Sequence, residues 1–564
     1  MSKSSIYKDV QKLNLVTPDY KKWPIYNIFE NRDDFVQEVA WQAIDEIFKR
    51  NSIADIKEQL ASAYYLEKIR IKTDPYKVDL DDENEFWKSV KIRMTDLMVG
   101  NVENEKNEIK TVVEDIVKRY AEEITGDFKI STYRFAQGMV PVILRRVLNS
   151  ARAKYIKKFY SNKYLLSDKI HYTGHIDLIR QLATKATIIF VPTHFSNLDN
   201  ILIGWAIESI GIPPVIYGAG LNLFNSRILG YYMSRLGAYK LDRRKKNDIY
   251  LETLKTYSRI SIEKGCHYLF YPGGTRSRSG MLESRFKLGL LGTAVDAQFE
   301  NCKKNETDYK KVILVPTVIN YHFVLEAKQL IEQHLKSEGK EKYFLNNEAD
   351  IKGASTVLNL MWKFFSTESE SAISFGQPMD IFGNKVNALG ESHDKQARVI
   401  DISNYFRKDN ELVEDDQRNS VYTKMLSDQL LKEYRKSSVV FTSHIVAYTV
   451  YELIKKMHPK LDLYNLLRLP SDDRIIAKDT FIKNLENAIQ FLKSKADEGS
   501  ILLDPKLHNS TEDIIEHALS NLGIYHKERV VYQTKQGDFT SENMNLLYYY
   551  HNRLYGFGIQ YHIS

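Results

Sequence analysis

The sequence predicts an α/β protein, in which a central domain with a mixed, largely parallel sheet flanked by helices lies between N- and C-terminal helical regions. Three observations lead to this prediction. Helical repeats dominate residues 1–165, short branched apolar runs alternate with amphipathic stretches over 166–400, and helical repeats return over 401–564. This order is typical of a buried parallel sheet with crossover helices.

Residues 1–165 make up the predicted N-terminal helical region. Apolar residues recur at helical spacing in DDFVQEVAWQAIDEIFKR (33–50) and EIKTVVEDIVKRYAEEI (108–124). From Arg134 to Lys163 there are eight basic residues and no acidic one, on a stretch that also has helical apolar spacing. Such a helix is typical either of binding to an anionic membrane surface or of a solvated basic face packed on a core, and both interpretations stay open.

Residues 166–400 make up the predicted α/β domain. Its apolar runs are rich in branched residues, as expected for buried strands: ATIIFV (186–191), PPVIYG (213–218), HYLFYP (267–272), VILVPTVINY (312–321) and SAISFG (371–376). Polar composition predicts a linker over 384–418. The C-terminal helical region then contains SVYTKMLSDQLLKEYRK (420–436) and SHIVAYTVYELIKKM (443–457).

The composition argues against several classes of protein. The chain has 564 residues, 43% of them hydrophobic and 27% charged, with a mean hydropathy of −0.40, and it is expected to fold into two or three globular units. It has no apolar run long enough for a transmembrane helix, no secretion signal and only two cysteines, so we expect a cytoplasmic protein. The net charge of +7 is modest for this length, and we expect no nucleic-acid partner.

The stretch VPTHFSNLD (191–199) places His194 five residues before Asp199. Positions i and i+5 do not share a helix face, so a turn must bring the two side chains together if they act as a pair. His194 closes a predicted strand and Asp199 opens a predicted helix, with Ser196 as its expected N-cap, at the kind of strand end where α/β sheets hold ligands. In the structural alternative, Asp199 completes a capping box and His194 is an ordinary loop histidine. About two such pairs are expected by chance from 14 histidines and 73 acidic residues.

Three further segments carry candidate binding residues. YPGGTRSRSG (271–280) follows an apolar run and combines a glycine-rich turn with two arginines, which suits a phosphate group. It lacks the GxxxxGK[ST] pattern of a P-loop, and a plain turn with solvated arginines is its structural alternative. The other two segments are GAYKLDRRKK (237–246) and VPTVINY (315–321).

In order and spacing, the four segments resemble the glycerophosphate acyltransferase superfamily, whose pattern is H-x4-D, G-x-x-F-I-x-R, F-P-E-G-T-R-S and V-P-x-x-x. The matching positions here are His194 to Asp199, Gly237 to Arg243, Gly273 to Ser277, and Val315-Pro316. The chain looks most like the large membrane-associated glycerol-3-phosphate and dihydroxyacetone-phosphate acyltransferases. The segments that carry this likeness are RSRSG (276–280), FKLG (286–289), GAGLNLF (218–224) and the tail segment LLYYYHNRL (546–554).

The chain departs from the family pattern at two positions. Gly273 stands where the family has a glutamate, and Lys240 stands where an aromatic residue is usual. These departures leave open the role of that glutamate, such as orienting the loop. Neither departure alters the histidine or arginine positions.

The resemblance implies transfer of a fatty acyl group from an acyl thioester, either acyl-CoA or acyl-carrier protein, to the sn-1 hydroxyl of glycerol 3-phosphate, giving lysophosphatidate. It implies His194 as general base and Asp199 as the residue that orients it. The implied substrate-binding residues are Arg243, Gly274, Arg276, Ser277, Arg278 and Lys287. Direct transfer implies no metal and no redox cofactor. The expected partners are the two substrates and an anionic membrane surface, on whose cytoplasmic face the protein would bind peripherally.

Alternatives remain for the acceptor and for the activity itself. The acceptor could instead be dihydroxyacetone phosphate or lysophosphatidate. A protein of a different class, an inactive lipid- or acyl-binding scaffold, is suggested by Gly273, although the presence of both His194 and Asp199 argues against it. Donors for the oxyanion of a tetrahedral intermediate are expected either in the turn at Gly273 and Gly274 or at the helix start after Ser196.

Overall fold

The computed structural model describes residues 6–8, 10, 12–99, 105–138, 169–338, 370–522 and 526–564. Most of the basic segment from Arg134 to Lys163 lies outside the described residues, so its assignment stays a prediction. Among the described helices, none is both long enough and apolar enough to cross a membrane.

Within residues 12–99 and 105–124 of the N-terminal region, the chain forms five α-helices. They are α1 (Pro24–Glu30), α2 (Arg32–Arg50), α3 (Ile53–Thr73), α4 (Glu83–Val99) and α5 (Glu105–Ile124). The two helices that the sequence predicts here correspond to α2 and α5. Both α2 and α5 have a continuous buried apolar stripe, as amphipathic periodicity requires.

A seven-stranded sheet follows. Its strands are β1 (Ile170–Gly174), β2 (Thr187–Pro192), β3 (Ile216–Gly220), β4 (Ala238–Leu241), β5 (Tyr268–Leu269), β6 (Val312–Tyr321) and β7 (Ser371–Phe375). They lie in the order β1-β7-β6-β2-β5-β3-β4. All neighbours are parallel except β6 and β7, which are antiparallel. The mixed, largely parallel sheet is confirmed, and the five predicted apolar runs are β2, β3, β5, β6 and β7.

Helices connect and flank these strands. They are α6 (Ile176–Ala183), α7 (Asp199–Ser209), α8 (Arg227–Arg235), α9 (Asp248–Glu263), α10 (Leu288–Lys304) and α11 (Ala327–Glu338). The C-terminal region adds α12 (Asp416–Lys436), α13 (Thr442–Met457), α14 (Leu463–Leu467), α15 (Lys478–Asp497), α16 (Thr511–Asn521) and α17 (Met544–His551). The predicted helices at 420–436 and 443–457 are α12 and α13.

The expected linker over 384–418 is wrong. The segment forms five short antiparallel strands: β8 (Lys385–Val386), β9 (Ser392–His393), β10 (Val399–Ile400), β11 (Arg407–Lys408) and β12 (Glu411–Leu412). It also buries the side chains of Ile402 and Phe406. Widely spaced apolar residues in tight hairpins give a polar composition, which is why composition alone suggested a linker. The domain boundaries near residues 165 and 400 stay predictions.

Both faces of the sheet are covered, and alternate residues of a strand enter different apolar cores. In β2, Ile188 and Phe190 pack into a core shared with the C-terminal helices, whereas Ile189 and Val191 pack into one shared with the N-terminal helices. This follows from the two-residue period of side chains along a strand. The run ATIIFV is therefore continuously apolar because each of its faces needs apolar residues.

A buried ionic network ties α3 to the loop that precedes α4. The Arg70 guanidinium, 2% exposed, donates to Glu67 at 2.7 Å, Glu83 at 2.6 Å and Asp79 at 3.2 Å. Asp79 also accepts from Arg244, which follows β4 in the central sheet, at 2.6 Å. The same network thus connects the N-terminal helices to the sheet.

Replacing Arg70 by alanine should destabilise the protein strongly. The change leaves buried carboxylates without their counter-charge, and breaking a buried pair in this way costs about 3–5 kcal/mol. The matched control is Arg398→Ala, because Arg398 also bonds a carboxylate, that of Asp394, but its side chain is 75% exposed. Exposed pairs contribute about 0–1 kcal/mol. Urea denaturation followed by circular dichroism measures both, and equal midpoints for the two variants would contradict the role assigned to the network.

Candidate active site

Three of the four segments singled out in the sequence contribute residues to one pocket, and the fourth, VPTVINY, reaches the same site through the Tyr321 hydroxyl. Strands β2, β5, β3 and β4 are successive neighbours and all parallel, so the loops that follow them leave the same edge. A pocket opens between these loops, and its lining includes His194, Asn197, Gly220, Asn222, Arg243 and Arg276. Carboxyl ends of parallel strands are the usual ligand-binding edge of such sheets.

His194 and Asp199 are joined by a hydrogen bond. The Nδ1–H group of His194 donates to Oδ2 of Asp199 at 2.9 Å. Helix α7 begins at Asp199, so His194 lies in the turn before it, and this turn spans the five-residue spacing. With Nδ1 bound to the carboxylate, the neutral imidazole carries its lone pair on Nε2.

The Asp199 carboxylate is fully buried and accepts from three further donors. The backbone N–H groups of Phe195 and Ser196 donate to Oδ2 at 2.6 and 2.9 Å, and the hydroxyl of Tyr321, at the end of β6, donates to Oδ1. The expectation that Ser196 is the N-cap is wrong, because the N-cap is Leu198. The aspartate itself binds the N–H groups of the turn.

The backbone donors at the start of α7 are already engaged. Besides the two bound by Asp199, the Asn197 N–H donates to Glu326 at 2.9 Å and the Leu198 N–H donates to Ser196 Oγ at 3.2 Å. In the glycine-rich turn, the Gly274 N–H donates to the Tyr271 carbonyl at 3.0 Å. An oxyanion hole built from any of these groups would require a bond to exchange when substrate binds.

The glycine-rich loop after β5 packs directly on the histidine turn. The Ser277 N–H donates to the His194 carbonyl at 2.7 Å. Tyr271 stacks on the His194 ring with 4.1 Å between ring centroids. Gly274 adopts a φ of +74°, and a Cβ atom there would lie 2.8 Å from Nζ of Lys287. The loop therefore requires glycine at this position, and the Lys287 side chain packs against it.

The candidate basic residues divide into two groups. Arg243 and Arg276 line the pocket together with His194, and the Arg276 guanidinium lies 3.4 Å from Glu326. Among the described lining residues, Arg278 and Lys287 do not occur. Arg278 instead lies close enough to His334 of α11 for its charge to help burial lower the pKa of that imidazole.

Three functional candidates were missed at the level of sequence. Glu326 accepts from Ser196 Oγ at 3.0 Å as well as from Asn197 and Arg276, so it connects the two halves of the site. Tyr321 and Tyr271 lie inside the segments already noted, and their position there was the available signal. Sequence could not assign their partners, which come from other loops.

The turn that follows Arg243 is fixed by residues next to it in the chain. Arg244 donates to Asp242 at 2.7 Å as well as to Asp79, and Lys245 pairs with Glu123 of α5. Lys245 is buried and Arg244 is partly buried, and both side chains bind carboxylates of the N-terminal region. The rigid turn leaves Arg243 as the residue of this segment that lines the pocket.

The C-terminal tail closes over the same loops. The Asn552 amide donates to the Ser279 carbonyl at 2.9 Å. The Arg553 guanidinium lies 3.7 Å from the ring of Phe195. At Gly280 a Cβ atom would lie 2.3 Å from the Tyr549 carbonyl oxygen, so only glycine allows this approach. The tail thus packs both on the glycine-rich loop and on the histidine turn.

Comparison with known proteins agrees with this geometry. Residues 173–320 match the acyltransferase family model. The chain is similar to proteins named glycerol-3-phosphate acyltransferase, being 26% identical over 376 residues to that of Alteromonas mediterranea, 27% over 227 residues to that of Pseudoalteromonas atlantica and 26% over 270 residues to that of Pseudomonas paraeruginosa. These matches cover 65%, 40% and 48% of this chain and 40%, 24% and 28% of the relatives.

The chain spans less than half the length of each of these relatives. The matched region nevertheless contains all four loops of the pocket. The family model and these relatives together show an acyltransferase domain over residues 173–320 in a chain that is similar to proteins named glycerol-3-phosphate acyltransferase.

Proposed function

We propose that this protein transfers a fatty acyl group from an acyl thioester to the sn-1 hydroxyl of glycerol 3-phosphate, giving lysophosphatidate. The observation that carries the proposal is the combination of the His194–Asp199 pair with Arg243 and Arg276 around one pocket. A base for a hydroxyl group and two cations for a phosphate are the groups that this acceptor needs.

In the proposed reaction, Nε2 of His194 takes the proton of the acceptor hydroxyl as its oxygen attacks the thioester carbonyl carbon. The resulting imidazolium is stabilised by the buried Asp199 carboxylate, which also holds the ring orientation. The C–S bond then breaks, the ester remains on the acceptor, and the proton passes from His194 to the leaving thiolate. This sequence uses no metal and no redox cofactor.

The acceptor phosphate is proposed to bind between Arg243 and Arg276. Arg276 bonds Glu326, and Glu326 also accepts from the turn that carries His194. Hydrogen bonds therefore link the proposed phosphate site to the base. Fixed separation of the two would orient the hydroxyl of a short phosphorylated polyol toward His194.

Purified protein should be assayed with both donors, acyl-CoA and acyl-carrier protein, and with three acceptors: glycerol 3-phosphate, dihydroxyacetone phosphate and lysophosphatidate. The proposal expects the highest kcat/KM with glycerol 3-phosphate. A higher value with either other acceptor would reassign the substrate. No transfer to any acceptor would leave the acyl-binding scaffold as the function.

We further propose that the protein docks on an anionic membrane surface through α8 and the adjoining basic segment. None of the nine described residues of α8 is buried, and Ile228 and Tyr231 are 66% and 51% exposed. Phe135, within the basic segment, stacks on Tyr232 of α8 with 6.3 Å between ring centroids. Helix α8 begins at Arg227, shortly after the pocket-lining Asn222 and Leu223, so this surface would bring the pocket to the lipid.

His194→Ala should lower kcat by about 10²- to 10⁴-fold, the usual contribution of a general base. The fold should survive, because the side chain lies in a turn at the pocket and leaves no core cavity. His458→Ala, outside the pocket, is the control and should keep full activity. Steady-state kinetics with circular dichroism separate the two effects, and a folded His194→Ala protein with more than a few per cent of the normal rate would refute the assignment.

Arg276→Ala should raise the acceptor KM by about 10- to 150-fold, since a hydrogen bond to a charged group contributes about 1.5–3 kcal/mol. The donor KM should change little. Arg278→Ala is the matched control from the same loop and should alter neither constant by more than about threefold, because Arg278 lies outside the pocket lining. Equal effects of both variants, or a loss of donor binding in Arg276→Ala, would contradict the phosphate role.

Replacing Ile228 and Tyr231 together by serine should weaken sedimentation with anionic vesicles, because each side chain offers apolar area to the lipid. Leu389→Ser is the control, since Leu389 is equally exposed but lies on the hairpin segment. Charge reversal in the basic segment, at Arg145, Arg146, Lys157 and Lys158, should remove binding that falls with added salt. Unchanged binding in both sets would show that neither surface docks on lipid.

A further inference from the structure

Glu283 lies behind the histidine turn, on the loop between the glycine-rich turn and α10. Its Oε1 atom accepts the backbone N–H of His194 at 3.1 Å. This N–H group belongs to the residue that carries the proposed base, and it is the first of four successive N–H groups that carboxylates bind. Asp199 binds the next two, and Glu326 binds the fourth. The turn is therefore held by three acids, of which Glu283 binds the residue that carries the base.

The Glu283 side chain fills the space beside Gly273. A Cβ atom built on Gly273 would lie 3.3 Å from Cγ and 3.5 Å from Oε1 of Glu283. The backbone of Gly273 is not in the left-handed region, so a side chain there would not be strained. The carboxyl group of Glu283 therefore lies within the reach of a glutamate side chain attached at position 273, the position where the acyltransferase pattern has its glutamate.

The carboxyl group of Glu283 is more buried and has fewer hydrogen-bond partners than that of a typical surface glutamate. Although the residue as a whole is partly exposed, its Oε2 atom is buried and has no hydrogen-bond partner in the described part of the chain. Burial raises the pKa of Glu283 to about 7, against the opposing effects of its backbone hydrogen bonds and of the Arg553 charge. Burying a carboxyl group with an unpaired oxygen lowers the free energy of unfolding. The hydrogen bond to the His194 N–H is a functional reason for keeping the group there.

We propose that Glu283 is a positioning residue of the catalytic turn, and that it supplies from position 283 the carboxyl group that the acyltransferase pattern carries at position 273. Glu283 does not touch substrate in this assignment. It fixes the backbone of His194, and through it the direction of Nε2. The assignment rests on the proposed function for its effect on rate, but the effect on the turn itself does not depend on any substrate.

The first test compares two substitutions of nearly equal volume. In Glu283→Gln, the amide oxygen can still accept the His194 N–H, and glutamine also resembles the neutral form of the carboxyl group, which burial favours. In Glu283→Met, the space stays filled but the acceptor is lost. Hydrogen–deuterium exchange of the peptide covering residues 191–199 should speed up in the methionine variant and stay near the wild-type rate in the glutamine variant.

Kinetics give the second readout. Glu283→Met should lower kcat by about 10- to 100-fold, with the acceptor KM within about threefold of wild type, because misplacing a reacting group by even 1 Å costs on this scale. Glu283→Gln should keep at least about a third of kcat. A purely structural role would instead lower the melting temperature of both variants and leave kcat per folded molecule unchanged.

The third test moves the carboxyl group. Glu283→Ala removes the Cγ atom that would lie only 3.3 Å from a Cβ atom at position 273. Gly273→Glu combined with Glu283→Ala should therefore recover kcat by at least about threefold over Glu283→Ala alone. Absence of recovery in a folded double variant would overturn the equivalence of the two positions. Gly273→Glu alone should not raise activity, because Glu283 already occupies the space.

The two readouts separate failure of this proposal from failure of the proposed function. If wild-type protein transfers no acyl group, the function is wrong, and the exchange experiment alone decides the role of Glu283. If exchange over residues 191–199 is the same in the methionine, glutamine and wild-type proteins, Glu283 does not position the turn. That result would overturn the proposal even in a fully active enzyme.

Discussion

The buried carboxylate of Asp199 is the interaction on which the site depends. Its four donors come from the imidazole of His194, from two N–H groups of the intervening turn and from the hydroxyl of Tyr321 on the neighbouring strand. Each hydrogen bond to a charged group contributes about 1.5–3 kcal/mol, which is the scale needed to offset the several kcal/mol that burial of a carboxylate costs. The same four bonds set the tautomer and the orientation of the histidine. The interactions that stabilise the turn are therefore also those that orient the base.

The sheet makes this arrangement possible because it is parallel where the site lies. Four neighbouring strands end at one edge, and each of their loops contributes one part: a base, a turn that packs on it, a pocket wall and an arginine. Both faces of the sheet must be covered for such strands to be stable. The N-terminal helices and α12 share one core with the sheet, and α13, α15, α16 and α17 share the other. The terminal regions then act on the site through specific contacts, the N-terminal helices through Arg244 and the C-terminal tail through Asn552 and Arg553.

Basic residues near the site include some that line the pocket and some that bind the N-terminal region. Arg244 donates to Asp79 and Asp242 and Lys245 pairs with Glu123, while Arg243, between them and β4, lines the pocket. In the glycine-rich loop, Arg276 lines the pocket and also bonds Glu326, whereas Arg278 is not among the described lining residues. The run LDRRKK thus contains basic residues that hold the fold as well as one that lines the pocket.

Local sequence was sufficient for the elements that have a strong periodic or continuously apolar pattern. Strands buried on both faces appear as continuous branched apolar runs, amphipathic helices appear as 3.6-residue repeats, and the turn between His194 and Asp199 follows from a spacing that no helix can use. The two short strands β1 and β4 were missed, because IHYTG and AYKL mix polar and apolar residues too evenly to stand out. The segment 384–418 was mistaken for a linker for a related reason, since hairpins of two-residue strands leave no periodic signal.

Contacts between residues far apart in the chain were decided only by the tertiary structure. Nothing near Gly273 in the sequence indicates that a carboxylate ten residues later fills the space beside it, nor that Tyr321 and Glu326 bind the turn around His194 from more than 120 residues away. Equally, two arginines separated by a single serine look alike as sequence, and only the path of the loop turns Arg276 toward the pocket and Arg278 toward α11. The physical reason is that periodicity records which face of an element is buried, whereas the partner on that face is chosen by how the elements pack.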